Sequence, residues 1–200
     1  MKSQFEIKDK KLIENILATV EYGTLALCKD NKPYSVPVNF VYSDDVIYFH
    51  GSKKGKKKEF IIDNSFASFS IVESYSMIQS YFSSTDNTAC TATHFFKSVS
   101  CDGKIEIVKN YDEKAMALQL LMEKFQPEGQ YIPLSDGIYQ KMIDATEVFK
   151  LQIEEIRGKI KVGQHLPPER FDMIIKHLEQ RGSDIDKLTV SQMINQKENI

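Results

Sequence analysis

Read from the amino terminus, DKKLIENILATV places Leu12, Ile13, Ile16, Leu17 and Val20 on one helical stripe, with Asp9 in an N-cap position. The pattern then changes. Residues 24–28, 34–42 and 46–50 are short runs rich in Val, Tyr, Phe and Leu, split by the turn sequences KDNKP and SDD. They predict a three-stranded antiparallel meander. Pro33 and Pro37 give no ladder donor, so Pro37 is expected at an edge, a bulge or a bend. KKGKKKEFIIDN predicts a short helix or turn ending at Asn64, and SFASFSIVES alternates as a fourth strand. Residues 75–90 are polar and irregular and read as a mobile loop.

HFFKSVSCDGKIEIVKN predicts a long strand or a hairpin, with Asp102-Gly103 as a turn or bulge. YDEKAMALQLLMEKFQ puts Ala115, Leu118, Leu121, Met122 and Phe125 on one helical face, and Pro127 stops that helix. A short helix over 135–145 and a closing strand in TEVFKLQIEEIRGKIKV follow. LPPERFDMIIKHLEQRG has a proline-led start, an apolar face of Phe171, Ile174, Ile175 and Leu178, and Gly182 as C-cap. The last stretch, SDIDKLTVSQMINQKENI, is polar and is read as frayed. The fold class is mainly β with helices (α+β): a small antiparallel barrel decorated by helices.

At 200 residues and 42% hydrophobic content the chain fills one ordinary core, with a terminal appendage. Its formal charge is −2, yet five lysines crowd the six positions 53–58. An acidic chain with one basic knot argues for a local anion site rather than a general polyanion surface, so no nucleic-acid partner is expected. Three cysteines, Cys28, Cys90 and Cys101, form no C-x-x-C pair, which points to a reducing cytoplasm. Cys90, His94 and Cys101 are too few and too widely spaced for zinc, and no metal is expected. The amino terminus lacks the apolar core of a signal peptide, and no apolar run is long enough for a membrane span.

The lysine knot, HGSKKGKKKEF, joins a strand end to a helix start. Unpaired N–H groups at such a start, glycines that let the chain bend close, a hydroxyl and ammonium groups together suit a phosphate dianion. Gly51 and Gly55 are not followed by Lys-Ser/Thr, so a nucleoside-triphosphate loop is not supported. A plain solvated loop is the competing reading of any lysine run.

YGTLAL, then KPYSVPVNFVYSDDVIYFHGSKKGKKKEF, resembles the flavin-binding split barrels of the pyridoxamine 5′-phosphate oxidase-like superfamily, in its 5-nitroimidazole-resistance branch. FKSVSCDGKIEIV and FKLQIEEIRGK resemble that family's later strands, and the likeness spans about residues 12–165. It implies an antiparallel six-stranded split β-barrel over residues 1–162, a C-terminal helical appendage over 163–200, and a homodimer with FMN in each interface cleft. Carried over by motif, Val38 and Asn39 lie along the flavin ring and ribityl chain, mostly through backbone groups, and Phe49 and His50 stand at the strand end beside the ribityl phosphate or the ring. Ser52, Lys56 and Lys57 hold the phosphate, and Ser98 touches the flavin from the next long strand. Lys53, Lys54 and Lys58 are solvated or help only electrostatically.

The implied function is that of a cytoplasmic FMN-dependent reductase or oxidase acting on a small aromatic or nitro-type acceptor, with NAD(P)H as donor. A non-enzymatic flavin sensor and a haem-binding split barrel are the alternatives. His50 reads equally well as a proton-handling catalytic group and as a structural strand-end histidine. Cys28 and Cys101 are expected to pack on strands, and His94 to be exposed. Tyr75, Tyr81 and Phe82 are read as loop aromatics that cap the ring or serve as surface contacts. The appendage resembles the end of FMN-binding proteins assigned as transcriptional regulators, but it shows no recognition-helix chemistry.

Overall fold

The computed structural model describes residues 2–84, 86 and 88–198, with Glu198 described by its backbone. In chain order its elements are β1 (Glu6–Ile7), α1 (Lys10–Thr19), β2 (Tyr22–Lys29), β3 (Lys32–Asn39), β4 (Val41–Ser43), β5 (Val46–Gly51) and α2 (Lys56–Asp63). Then come β6 (Phe66–Ile78), β7 (Thr93–Ile107), α3 (Tyr111–Phe125), α4 (Gln140–Ala145), β8 (Glu147–Lys161), α5 (Pro168–Arg181) and α6 (Asp184–Glu198). The strand order is β3-β2-β6-β7-β8-β5-β4, with β1 added on β8. Among the described residues the strands number eight rather than six, because Phe40 divides one predicted run and β1 lies outside any predicted one. Among the described residues no helix is long and apolar enough to cross a membrane.

Two compact units divide the chain, and β6, β7 and β8 contribute to both. Asp9–Ile71 with Val99–Arg157 form the larger one. There Asp9 caps α1 by accepting from the Lys11 N–H at 2.9 Å, a contact worth about 1 kcal/mol. Both tight hairpins have the turn chemistry that the sequence announced. Asp30-Asn31 links β2 to β3 and Asp44-Asp45 links β4 to β5, all four at positive φ between 49° and 61°, as two-residue turns matched to strand twist require.

The predicted meander is corrected. β3 pairs with β2 and β4 pairs with β5, but β3 and β4 stand at opposite ends of the strand order. Phe40, fully buried, is the pivot between them; its ring meets Phe69 at 5.1 Å. The Lys124 ammonium sits 3.9 Å above the same ring. It also donates to the Leu17 and Val20 carbonyls at 3.0 and 2.8 Å, closing the C-terminal end of α1. Burial drives the Lys124 pKa down to about 8.

β7 is one continuous strand, so Asp102-Gly103 is no hairpin turn. Its glycine serves close approach, since a Cβ there would fall 2.0 Å from the Gln152 carbonyl oxygen of β8. α3 buries Lys114, Ala115, Ala117 and Leu121, a stripe rotated from the predicted one; Phe125 is exposed. The rotation follows from small Ala117 facing Val41, Val46, Tyr48 and Val148 in one cluster, with the Lys114 ammonium capping the Thr146 carbonyl at 2.7 Å.

Met1–Lys8, Val72–Ser98 and Gly158–Ile200 form the smaller unit. Its segment after β6 is more ordered than predicted. β6 runs on to Ile78, buried Tyr75 and Phe82 anchor it, and 3-10 turns cover Ser80–Phe82 and Ala89–Thr91. Thr85 and Asn87 of the predicted loop lie outside the described residues. The predicted fraying is also corrected, because residues 184–198 form α6; Asn199 and Ile200 lie outside the described residues. α6 is tied down by polar groups that a hydropathy pattern hides. Fully buried Asp186 accepts from Arg181 and from the Ser76 hydroxyl, and the Thr189 hydroxyl accepts from the Ser76 N–H at 3.0 Å. The guanidinium and hydroxyl donors hold the Asp186 carboxyl far below the usual carboxylate range.

Candidate functional site

The end of β5 delivers Phe49, His50 and Gly51 to the turn that starts α2. Gly55 sits at φ 118°, a conformation that only glycine adopts freely, and forms the N-cap without any side-chain cap. The first intrahelical bond is Glu59 N–H to the Gly55 carbonyl at 3.2 Å. The N–H groups of Lys56, Lys57 and Lys58 are therefore open to a ligand, with the positive end of the helix dipole behind them.

The three lysines of this first turn have different fates. Lys58 is neutralised by an ion pair with buried Glu147 at the start of β8. Lys56 and Lys57 meet no carboxylate among the described residues. The Lys56 ammonium lies 4.7 Å above the Tyr34 ring of β3. Lys57 is half-buried, with its ammonium 5.1 and 5.2 Å from the stacked rings of Phe49 and Phe149, and reaches the His50 carbonyl at only 3.5 Å. Burial without a counter-charge lowers its pKa. Gly51 makes room for it, because a Cβ at that position would stand 2.6 Å from the Lys57 ammonium.

His50 is exposed at the strand end, yet desolvation and then the Lys57 charge lower its pKa below 6.5, so the ring is neutral at pH 7. The Ser52 oxygen accepts from the Lys54 N–H at 3.1 Å, which shapes the turn and leaves its own hydrogen free to donate. Phe49 is fully buried against Phe149 at 5.2 Å, so its side chain is core and only its backbone faces the turn.

β3 leads away from this cradle. Tyr34 stands beside Lys56, and Val38 and Asn39 lie four and five residues further on, about 13–17 Å at strand rise. Pro33 and Pro37 must occupy positions that do not bond to β2, and by alternation Ser35 and Asn39 share that outward phase. The backbone of Asn39 is thus turned to the edge away from β2, while that of Val38 is turned toward it. The Asn39 amide donates to the Glu21 carbonyl at 3.1 Å. Proline at the edge is as the sequence predicted.

His50, Ser52, Lys56 and Lys57 are therefore gathered in one turn, with Val38 and Asn39 along the adjoining strand. Ser98 stands on the partly exposed face of β7, in the smaller unit. Sequence reasoning missed Tyr34 as a platform for Lys56, though it lies in the quoted motif. It also missed Glu147, whose ion pair with Lys58 joins positions 89 apart in the chain and leaves no local signal.

Of the two cysteines expected to pack on strands, Cys101 does so and Cys28 does not. Cys101 is buried, with its thiol pKa pushed up to about 12, while Cys28 and Cys90 are exposed. Exposed His94 bonds to the Ser74 hydroxyl and the Tyr75 carbonyl at 3.0 and 2.9 Å. Among the described residues no group of three His, Cys, Asp or Glu is placed to hold a metal ion.

Comparison with known proteins gives a family and a fold. Residues 9–160 match the pyridoxamine 5′-phosphate oxidase family model. No curated protein matches the sequence. Among solved structures, a candidate 5-nitroimidazole antibiotic resistance protein from Bacteroides thetaiotaomicron is 22% identical, with a TM-score of 0.63 over 78% of this chain and 86% of that one. The FAD and haem binding protein from Mycobacterium smegmatis gives 19% identity and a TM-score of 0.64, over 78% and 73% of the two chains. The flavocytochrome Anf3 from Azotobacter vinelandii gives 19% and 0.63, over 78% and 69%. These likenesses carry the split-barrel fold, and the sequence match over three quarters of its length places the chain in the pyridoxamine 5′-phosphate oxidase family.

Proposed function

We propose that the chain binds FMN, with the phosphate on the first turn of α2, and works as an FMN-dependent reductase or oxidase on a small aromatic or nitro-type acceptor. The observation that carries this reading is the uncompensated pair Lys56 and Lys57, set beside open N–H groups while neighbouring Lys58 is neutralised. Natural proteins rarely hold a half-buried ammonium without a partner unless a ligand supplies one. Two ammonium groups, three N–H donors and the Ser52 hydroxyl make a donor set fitted to a phosphate dianion.

β3 suits the rest of an elongated phosphorylated ligand, with Asn39 turning its backbone to the edge where a ring could lie. Family membership supports a flavin, and two of the structural relatives are described as a flavocytochrome and as an FAD and haem binding protein. Bound FMN would supply hydride and one-electron chemistry at its ring. The chain's own part is to fix the phosphate, present the edge of β3, and offer a neutral imidazole at His50 that accepts or returns a proton.

A homodimer with FMN at its interface, and NAD(P)H as donor, belong to the same reading. The outer face of β2 and β6 supports a second protomer there. It carries the small exposed residues Thr24, Ala26, Ser68 and Ser70, flanked by exposed Tyr22 and Phe66.

The test is to load the purified protein with FMN, desalt it and record its absorption. The reading expects retained bands of oxidised flavin that bleach anaerobically with NADPH or NADH and return on adding a nitroaromatic acceptor. Loss of all flavin on desalting, or a Soret band in the protein as purified, would count against it. Retained flavin that no nicotinamide reduces would leave a sensor in place of an enzyme.

A further inference from the structure

A second cluster of cations, unrelated to the lysine turn, lies in the smaller unit. The 3-10 turn Ala89–Thr91, the start of β7, the end of β8 and the first turn of α5 enclose a cavity of about 410 Å³. Lys161, His165 and Arg170 line it together with Cys90, Thr91 and Thr93. Its floor is apolar, from fully buried Phe95 and Ile174.

None of the three bases has a carboxylate partner among the described residues. Lys161 donates to the Thr93 hydroxyl. Arg170 spends Nε on the Ser83 carbonyl at 3.1 Å and Nη2 on the Ser83 hydroxyl at 3.4 Å, which leaves Nη1 unspent. His165 meets the edge of the Phe5 ring at 5.0 Å. The charges that act on His165 are Lys161, Arg170 and Lys2, all positive; with burial, the larger cause, they lower its pKa. α5 begins at Pro167-Pro168 with no side-chain cap, so the positive end of its dipole adds to the same field. A chain of net charge −2 has carboxylates to spare, yet among the described residues none lines this cavity.

We propose that this cavity is a second ligand site, for a small organic anion whose phosphate or carboxylate head rests on Lys161, His165 and Arg170. An apolar body would cover Phe95 and Ile174. The volume favours such a molecule over a bare inorganic ion, since it lies within the range of small-molecule pockets, about 300–1,000 Å³. Thr91 and Thr93 would add hydroxyl contacts to the head.

Cys90 provides a reporter in the unaltered protein, because it is exposed and lines the cavity, while exposed Cys28 on β2 serves as the internal reference. Alkylation by anionic iodoacetate is compared with neutral iodoacetamide at both cysteines by mass spectrometry. One uncompensated charge about 7 Å away favours an anion roughly three-fold even in water. The ratio of the two rates should therefore be at least that much higher at Cys90 than at Cys28. Phenyl phosphate or benzoate should protect Cys90 saturably without protecting Cys28, and whichever protects at lower concentration identifies the head group. Lys161→Gln with Arg170→Gln, confirmed folded by circular dichroism, should abolish both effects. If that variant does not fold, the wild-type comparison decides alone. Equal rate ratios at the two cysteines with no protection by either probe, or protection that survives in the double variant, would overturn the proposal.

Discussion

At the level of single residues, the lysine knot is a division of labour rather than a uniform charge run. Sequence motifs singled out Lys56 and Lys57, and among the described residues those two meet no carboxylate, while Lys58, read as solvated or electrostatically helpful, is paired with Glu147. The pairing was illegible because its partner is remote in sequence and buried only on folding. Lys57→Met should therefore separate stability from binding. Removing a desolvated, unpaired ammonium leaves the thermal midpoint of the flavin-free protein unchanged or higher. FMN affinity falls about ten-fold or more, the loss of one charge-assisted bond of about 1.5–3 kcal/mol. A lower midpoint with unchanged affinity would reverse the assignment.

His50 adds a pH signature. Its folded pKa lies below 6.5, so the unfolded chain binds the proton more readily. The contribution to stability is whole above pH 6.5 and is lost as pH falls through the folded value. His165 has a shift of the same sign. Denaturant melts between pH 7.5 and 5 should show a decline that His50→Gln reduces without removing. A slope identical in the variant would show that His50 does not carry it.

Among the elements, legibility followed periodicity. α1 and α5 were visible as helical stripes with caps, α3 as a stripe that the fold rotates and α2 only as a short helix or turn, and both hairpin turns were visible as Asp-Asn and Asp-Asp pairs. The run from Tyr34 to Tyr42 misled because one buried pivot, Phe40, sends its two halves to opposite ends of the strand order. Local pattern cannot encode that jump. Gly103 likewise looked like a turn residue, but its role is to let β8 approach. Gly103→Ala should lower unfolding free energy by about 1–3 kcal/mol or more, as overpacking does. Chemical denaturation measures it, and a change below about 0.5 kcal/mol would show that the strands part without cost.

α6 escaped notice because its attachment is polar. Asp186, Arg181, Ser76 and Thr189 replace the apolar stripe that a periodicity search looks for. Asp186→Ala leaves a guanidinium and a hydroxyl without their acceptor and should cost about 3–5 kcal/mol. Amide exchange in 184–198 should rise with it. Unchanged protection there would mean that the helix is held by other contacts.

For the whole molecule, the match over residues 9–160 and the shared fold account for the sheet and the place of the lysine turn on it. The family match does not reach α5 and α6, whose residues join the amino-terminal strand and parts of β6, β7 and β8 in a separate compact unit. Family motifs therefore made the candidate phosphate cradle legible and left the cavity around Lys161, His165 and Arg170 unannounced. What unites the molecule functionally is the claim that α2 is built to receive a phosphate. The direct measurement is flavin affinity by fluorescence quenching for FMN against riboflavin, its dephosphorylated form, on wild-type protein and on Lys56→Ala with Lys57→Ala. The account predicts that wild-type protein prefers FMN by about 100-fold or more, as two charge-assisted contacts imply, and that the double variant loses most of that preference while keeping its riboflavin affinity. Equal affinity for the two flavins in the wild type, or an undiminished preference in the variant, would contradict it.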